Sequence, residues 1–106
     1  MEYTFTITSN RKRYPNKYIA LINRIQNISM DIFETVLTAN EIDLKTSHKH
    51  RYETQTKVIR MCDRLSQFVE MSMKLNLIGN DTVKTWQKYI CDVKYMTISW
   101  RTKENK

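Results

Sequence analysis

The chain has 106 residues, with 18 Lys and Arg against 11 Asp and Glu, and only one Gly and one Pro. That is one domain's worth of chain with few turns, so its elements are few and long, which excludes most sandwiches, barrels and Gly-cradled nucleotide folds. The +7 charge points to an anionic partner (nucleic acid, an acidic protein or a membrane surface), while the 41% hydrophobic content excludes a disordered basic tail.

In chain order, Tyr3, Phe5 and Ile7 alternate with Thr4, Thr6 and Thr8, a strand period in strand-forming residues. Residues 1–15 are therefore expected to form an extended basic arm, and residues 16–106 a helical bundle. Pro15 disfavours helix at Tyr14, so the first long helix is expected over 16–40, burying Tyr18, Leu21, Ile22, Ile25, Ile28, Ile32, Phe33, Val36 and Leu37. A polar connection follows, with Thr46 or Ser47 as cap of a second helix over 47–77. Its stripe is Val58, Met61, Cys62, Leu65, Phe68, Val69, Met73 and Leu75, and its polar first turns, 48–56, are expected to protrude. Gly79 takes the place of a left-handed C-terminal cap, with Asn80 or Asp81 capping the third helix. That helix carries Val83, Trp86, Ile90, Val93, Thr97 and Trp100 at steps of three and four, flanked by Tyr89 and Met96, and residues 101–106 read as frayed. The fold class is all-α: an antiparallel up-and-down bundle of three long helices, four-helix-bundle-like, with a short extended N-terminal arm. Three such helices leave apolar flanks uncovered, so self-association is expected.

No apolar run reaches the ~18 residues of a membrane span, and the first residues lack a signal-peptide pattern. With two cysteines, a reduced cytoplasmic setting is expected, and no membrane partner. Cys62 and Cys91 read as buried thiols, poorly placed to pair. His48 and His50 are two apart, where a helix-borne metal site wants three or four, so they read as solvated; no metal and no cofactor are expected. No nucleophile, base and orienting group converge, so the chain does not read as an enzyme. Trp86 and Trp100 read as core.

The basic residues are grouped. Arg11, Lys12, Arg13 and Lys17 gather at the start of the first long helix, where positive charge opposes the helix dipole. Lys57, Arg60 and Arg64 follow helical steps along one flank of the second. Antiparallel packing brings Lys45, Lys49 and Arg51 to the end that holds Arg101, Lys103 and Lys106. Of these, Arg11, Lys12, Arg13, Lys17, Lys49, Arg51, Lys57, Arg60, Arg64 and Arg101 are the candidate nucleic-acid contacts. They would grip the phosphate backbone and read no bases.

The order of features carries a resemblance. Arg13 leads into Tyr14 and Pro15. The helix after them has Leu21, Arg24, Ile25, Asp31 and Ile32 and ends at Ala39 and Asn40. The next carries Arg51, Cys62, Leu65 and Val69, and the last ends at Trp100 and Arg101. Over residues 13–101 this resembles the accessory variability determinants of diversity-generating retroelements. It is also similar to the related four-helix-bundle proteins encoded in ribosomal-RNA intervening sequences. Members usually carry a further helix before the aromatic–proline pair, where this chain reads as an arm. The resemblance implies a non-catalytic, nucleic-acid-binding accessory protein with a basic exterior, assembled as a pentameric ring. Its partners would be a reverse transcriptase and RNA or DNA, and it would support template-directed mutagenic cDNA synthesis. The alternative from the residues alone is a helical protein–protein adaptor with no nucleic-acid role.

Overall fold

In a computed structural model, which describes residues 2–104, the polypeptide forms four α-helices and, among the described residues, no strand. They are α1 (Glu2–Thr8), α2 (Ile19–Glu41), α3 (His48–Lys74) and α4 (Asn80–Glu104), with a 3-10 turn, Asn16–Tyr18, running into α2. The all-α bundle expected from the hydrophobic periods is the fold observed. Lys106 lies outside the described residues.

The strand expected at residues 3–8, and with it the extended arm, is corrected to a helix. A lone strand leaves its backbone N–H and C=O groups without partners, and no second strand exists among the described residues to supply them. As a helix the segment turns Thr4, Ile7 and Thr8 inward at steps of three and four. The threonine hydroxyls on that face are satisfied: Thr8 Oγ1 donates to the Thr4 carbonyl (2.8 Å), and Gln26 of α2 donates to Thr8 Oγ1 (2.9 Å). Tertiary partners thus override a strand-forming composition.

α2 begins after Pro15, whose φ of −62° suits a helix start. It buries Ile22, Ile25, Ile28 and Ile32, as its spacing requires, but two members of the expected face are corrected: Phe33 is 61% exposed and Leu37 is exposed too. The inward stripe is narrower than the apolar one, because only α3 covers α2 along its length. In the α2–α3 connection the Asp43 carboxylate accepts the backbone N–H of Lys45 (2.8 Å) and Thr46 (3.4 Å). Ser47 takes the N-cap position by its backbone, without a side-chain hydrogen bond.

α3 is the central element, packed on both α2 and α4. It buries Val58, Cys62, Leu65 and Val69, which meet α2's isoleucines and Trp86 and Ile90 of α4 in one core. Its polar start does not protrude as expected, since Thr54 and Gln55 are buried. The end of α3 also departs from expectation. The left-handed residue is Asn76 (φ 60°), not Gly79. Leu77 N–H donates to the Ser72 carbonyl (3.0 Å) and Asn76 N–H to that of Met73 (2.9 Å), the bond pair of a Schellman ending. Asparagine tolerates this conformation because its short polar side chain suits it. Gly79 instead precedes α4 as its N-cap, in place of Asn80 or Asp81, and its carbonyl accepts Val83 N–H (3.1 Å).

The molecule measures 49 × 22 × 18 Å. α1 packs on α2, whereas α2 and α4 are not a closely packed pair. Between them runs a furrow, and α1 lies in one half of it.

Candidate nucleic-acid interface

The ten candidate contacts occupy three places. Arg11, Lys12 and Arg13 are exposed in the turn after α1, and Lys17 in the 3-10 turn. Asn10 shapes this turn, its side-chain carbonyl accepting Lys12 N–H (3.0 Å). Arg13 Nη1 donates to Thr82 Oγ1 (3.1 Å), which pins the cluster to the end of the bundle where α3 turns into α4. Arg11 Nη1 reaches the Thr8 carbonyl at 3.4 Å, and the Lys17 ammonium stands 5.2 Å over its neighbour Tyr18's ring. Beneath the cluster, Tyr14 is fully buried. Burial pushes its hydroxyl pKa up, partly offset by Ser72 of α3 and by the charge of Arg13.

Lys57, Arg60 and Arg64 are exposed on α3 and enter no hydrogen bond or ion pair among the described residues. Helical steps place them on one ridge. Arg64 lies about 12 Å of helix rise from Ser72, where Tyr14 arrives, and Lys57 about 22 Å. Along the axis of α3, Arg64 is therefore the end of the ridge nearer the turn that holds Arg11, Lys12 and Arg13, while Ser72 itself is buried on the core side.

The third group is different in kind. Lys49 is exposed, but Arg51 is committed inside the fold. Its Nη2 and Nε hold the two carboxylate oxygens of Glu104 (2.5 and 3.1 Å), and Nη1 donates to the Ile42 carbonyl (2.8 Å). Its guanidinium also stands 5.0 Å over the Trp100 ring. The side chains of Arg51 and Glu104 are only 12% and 13% exposed. Burial pushes the Glu104 carboxyl pKa up, but hydrogen bonds from Arg51 and Gln55 and the Arg51 charge outweigh it and leave it lowered. Arg101 donates to Thr56 Oγ1 (2.9 Å) and lies 4.8 Å over the Tyr52 ring. These two arginines lock the C-terminal end of α4 onto the start of α3, so the expected fraying of residues 101–104 is corrected to helix. Sequence spacing placed both at the right end of the bundle but carried no sign that they were already engaged.

A second lock, Lys94 Nζ to Asp63 (2.7 Å), takes another cation out of the free set, and the hydrogen bond raises the lysine's pKa. His48 and His50 are both exposed, and no group of three or more metal-ligating side chains forms among the described residues. No helix is long and apolar enough to cross a membrane.

The cysteines divide, which corrects one of the two. Cys62 is buried, and burial, with Asp63 adding, pushes its thiol pKa up to about 11. Cys91 is exposed, because α4 turns it away from the face carrying Trp86 and Ile90. A thiol reagent is expected to label Cys91 at once and Cys62 only in denaturant, since the thiolate is the reactive form and the buried one is not populated. Equal labelling rates for the two thiols in the native protein would contradict this placement.

The residues that sequence reading missed are those left bare beside α1. Phe33 of α2 and Met96 of α4 are 61% and 72% exposed, and Trp100 is only partly covered, by Arg51. Their spacing assigns all three to buried faces, and only the width of the furrow reveals them. No family model, curated protein or solved structure matches the chain.

Proposed function

We propose that this protein is a non-catalytic nucleic-acid-binding accessory protein of a retroelement reverse transcriptase, acting in the cytoplasm as a homo-oligomer in support of mutagenic cDNA synthesis. The retroelement role, the reverse-transcriptase partner and the pentameric assembly come from the resemblance over residues 13–101. The observation that carries nucleic-acid binding is the unpaired basic ridge of Lys57, Arg60 and Arg64, with Arg11, Lys12, Arg13 and Lys17 exposed as a second basic group. Unpaired cations on a rigid helix neutralise phosphates without first breaking internal ion pairs. Arg51 and Arg101 contribute to this reading through the fold, and Lys49 stands apart at the far end. The furrow between α2 and α4 favours a second reading, a helical adaptor that docks a protein.

The test is a salt titration of binding to unrelated RNA and DNA oligonucleotides, read by fluorescence anisotropy. Affinity is expected to fall steeply with salt, with a log–log slope of roughly −0.7 to −0.9 per phosphate contacted. Changing Lys57, Arg60 and Arg64 together to Gln should flatten that slope by up to about three units for every sequence alike, and Arg11, Lys12 and Arg13 to Gln by a similar amount. Both sets are exposed, so the folded state is expected to survive. Absence of binding at about 50 mM salt would refute the nucleic-acid reading. An unchanged slope in both variants would move binding off this ridge.

A further inference from the structure

Between α1 and α2 lies a cleft that the basic ridge does not touch. Glu2, Phe5 and Thr6 of α1 form one wall, at helical steps of three and four, and Met30, Phe33 and Glu34 of α2 form the other. Ser29 is the floor, fully buried beneath exposed or half-buried neighbours. The cleft offers about 650 Å³, within the range of roughly 300–1,000 Å³ usual for small-molecule sites. From Ser29 to Glu34 is only about 7.5 Å of helix rise, which suits one short ligand better than a helix of a partner protein.

Three features of the lining select the ligand. Glu2 and Glu34 are exposed at the rim, and neither is in an ion pair among the described residues. A cation entering here meets carboxylates and displaces no internal partner. Phe5 and Phe33 come from opposite walls, with the Met30 thioether alongside, so a planar aromatic body gains ring and sulfur contacts. The Ser29 hydroxyl oxygen is buried and has no hydrogen-bond partner. A buried polar atom left unpaired is costly, and a hydroxyl can donate or accept, so a polar atom carried in on the ligand would satisfy it. An acidic rim alone would attract any dissolved cation. The apolar walls and the unpartnered hydroxyl narrow the choice to an organic one.

We propose that this cleft is a binding site for a small aromatic amine, a planar ring bearing a hydrogen-bonding group and a short arm that ends in an ammonium. The ring lies between Phe5 and Phe33, the ring's polar group meets Ser29 Oγ, and the ammonium meets Glu2 and Glu34. None of Lys57, Arg60 and Arg64 lines the cleft, so this site and nucleic-acid binding stand or fall independently.

Tryptamine is the test ligand, read by calorimetry and by amide chemical shifts in nuclear magnetic resonance. It is expected to bind and to shift Ser29, Met30 and Phe33. Indole-3-propionate, with the same ring and arm and the opposite charge, should bind about tenfold or more weakly. Glu2→Gln with Glu34→Gln, both at exposed positions, should close most of that gap with unchanged circular dichroism and unchanged oligonucleotide binding. The parent should prefer tryptamine several-fold over 1-methyltryptamine, which lacks the indole N–H, and Ser29→Ala should abolish that preference. No tryptamine binding up to about 5 mM would overturn the proposal. Equal affinity for the amine and the carboxylate would overturn it too, as would shifts confined to residues outside the cleft. A preference for tryptamine over its methylated form that survives Ser29→Ala would remove the hydroxyl from the site and the proposal with it.

Discussion

Trp86→Ala is expected to cost about 3–5 kcal/mol, the range for truncating a large aromatic in a core, against the 5–15 kcal/mol that typically holds a small domain together. The indole is 1% exposed and is the largest fully buried side chain in the core. It joins three elements: it packs in the common core with Val58, Cys62 and Leu65, its N–H donates to Thr4 Oγ1, and its ring meets the Tyr3 ring edge-on at 6.4 Å. Removing it opens a cavity and also releases α1, which has little else to grip on α4. Trp86→Phe keeps most of the volume and loses the N–H, so it should cost less, about 1 kcal/mol for the hydrogen bond plus the repacking. Urea denaturation followed by circular dichroism measures both. A midpoint for Trp86→Ala indistinguishable from the parent's would show that α1 and the core are not joined through this ring.

Arg51→Met is expected to destabilise the protein by about 1–3 kcal/mol near neutral pH, the usual scale for removing hydrogen bonds to a charged group. The pair is not a solvent-exposed surface bridge of small value, since both side chains are largely covered and the guanidinium grips both carboxylate oxygens. The substitution leaves the Glu104 carboxylate with Gln55 as a donor and no facing cation. The pH dependence has a definite sign. The folded-state pKa of Glu104 is lowered from its ordinary 4.5, so the pair's contribution is fully present above about 4.5 and is lost as pH falls through the lowered value. The parent should lose stability over that acid range more steeply than Arg51→Met, and the gap between their urea midpoints should shrink toward pH 3 or so. A gap that stays constant from neutral to acid pH would show that the cost comes from lost packing on Trp100 and not from the charge pair.

The long helices were legible because burial repeats at helical steps: Ile22, Ile25, Ile28 and Ile32 in α2, Val58, Cys62, Leu65 and Val69 in α3, and Val83, Trp86, Ile90 and Thr97 in α4. A period of that length survives whatever the neighbours are. The candidate interface was legible in part. Sequence placed Lys57, Arg60 and Arg64 on one helical flank, and the structure leaves all three exposed and unpaired. It could not separate them from Arg51 and Arg101, because a free arginine and an engaged one have the same letter, and their partners Glu104 and Thr56 are 53 and 45 residues away in the chain.

The sequence by itself determined an all-helical bundle, its three long helices, their antiparallel order and the placing of its cations at two ends and one ridge. Those follow from period, scarce turn residues and the rise of a helix, which are local quantities. Tertiary structure alone decided the rest. It made a helix of Glu2–Thr8, whose alternation spells a strand, because its backbone had no strand to pair with and its threonines found Gln26 and Trp86. It kept α4 helical to Glu104 through Arg51 and Gln55. It also left Phe33 and Met96 bare, since an apolar residue is buried only where another element arrives to cover it, and no described element covers these two.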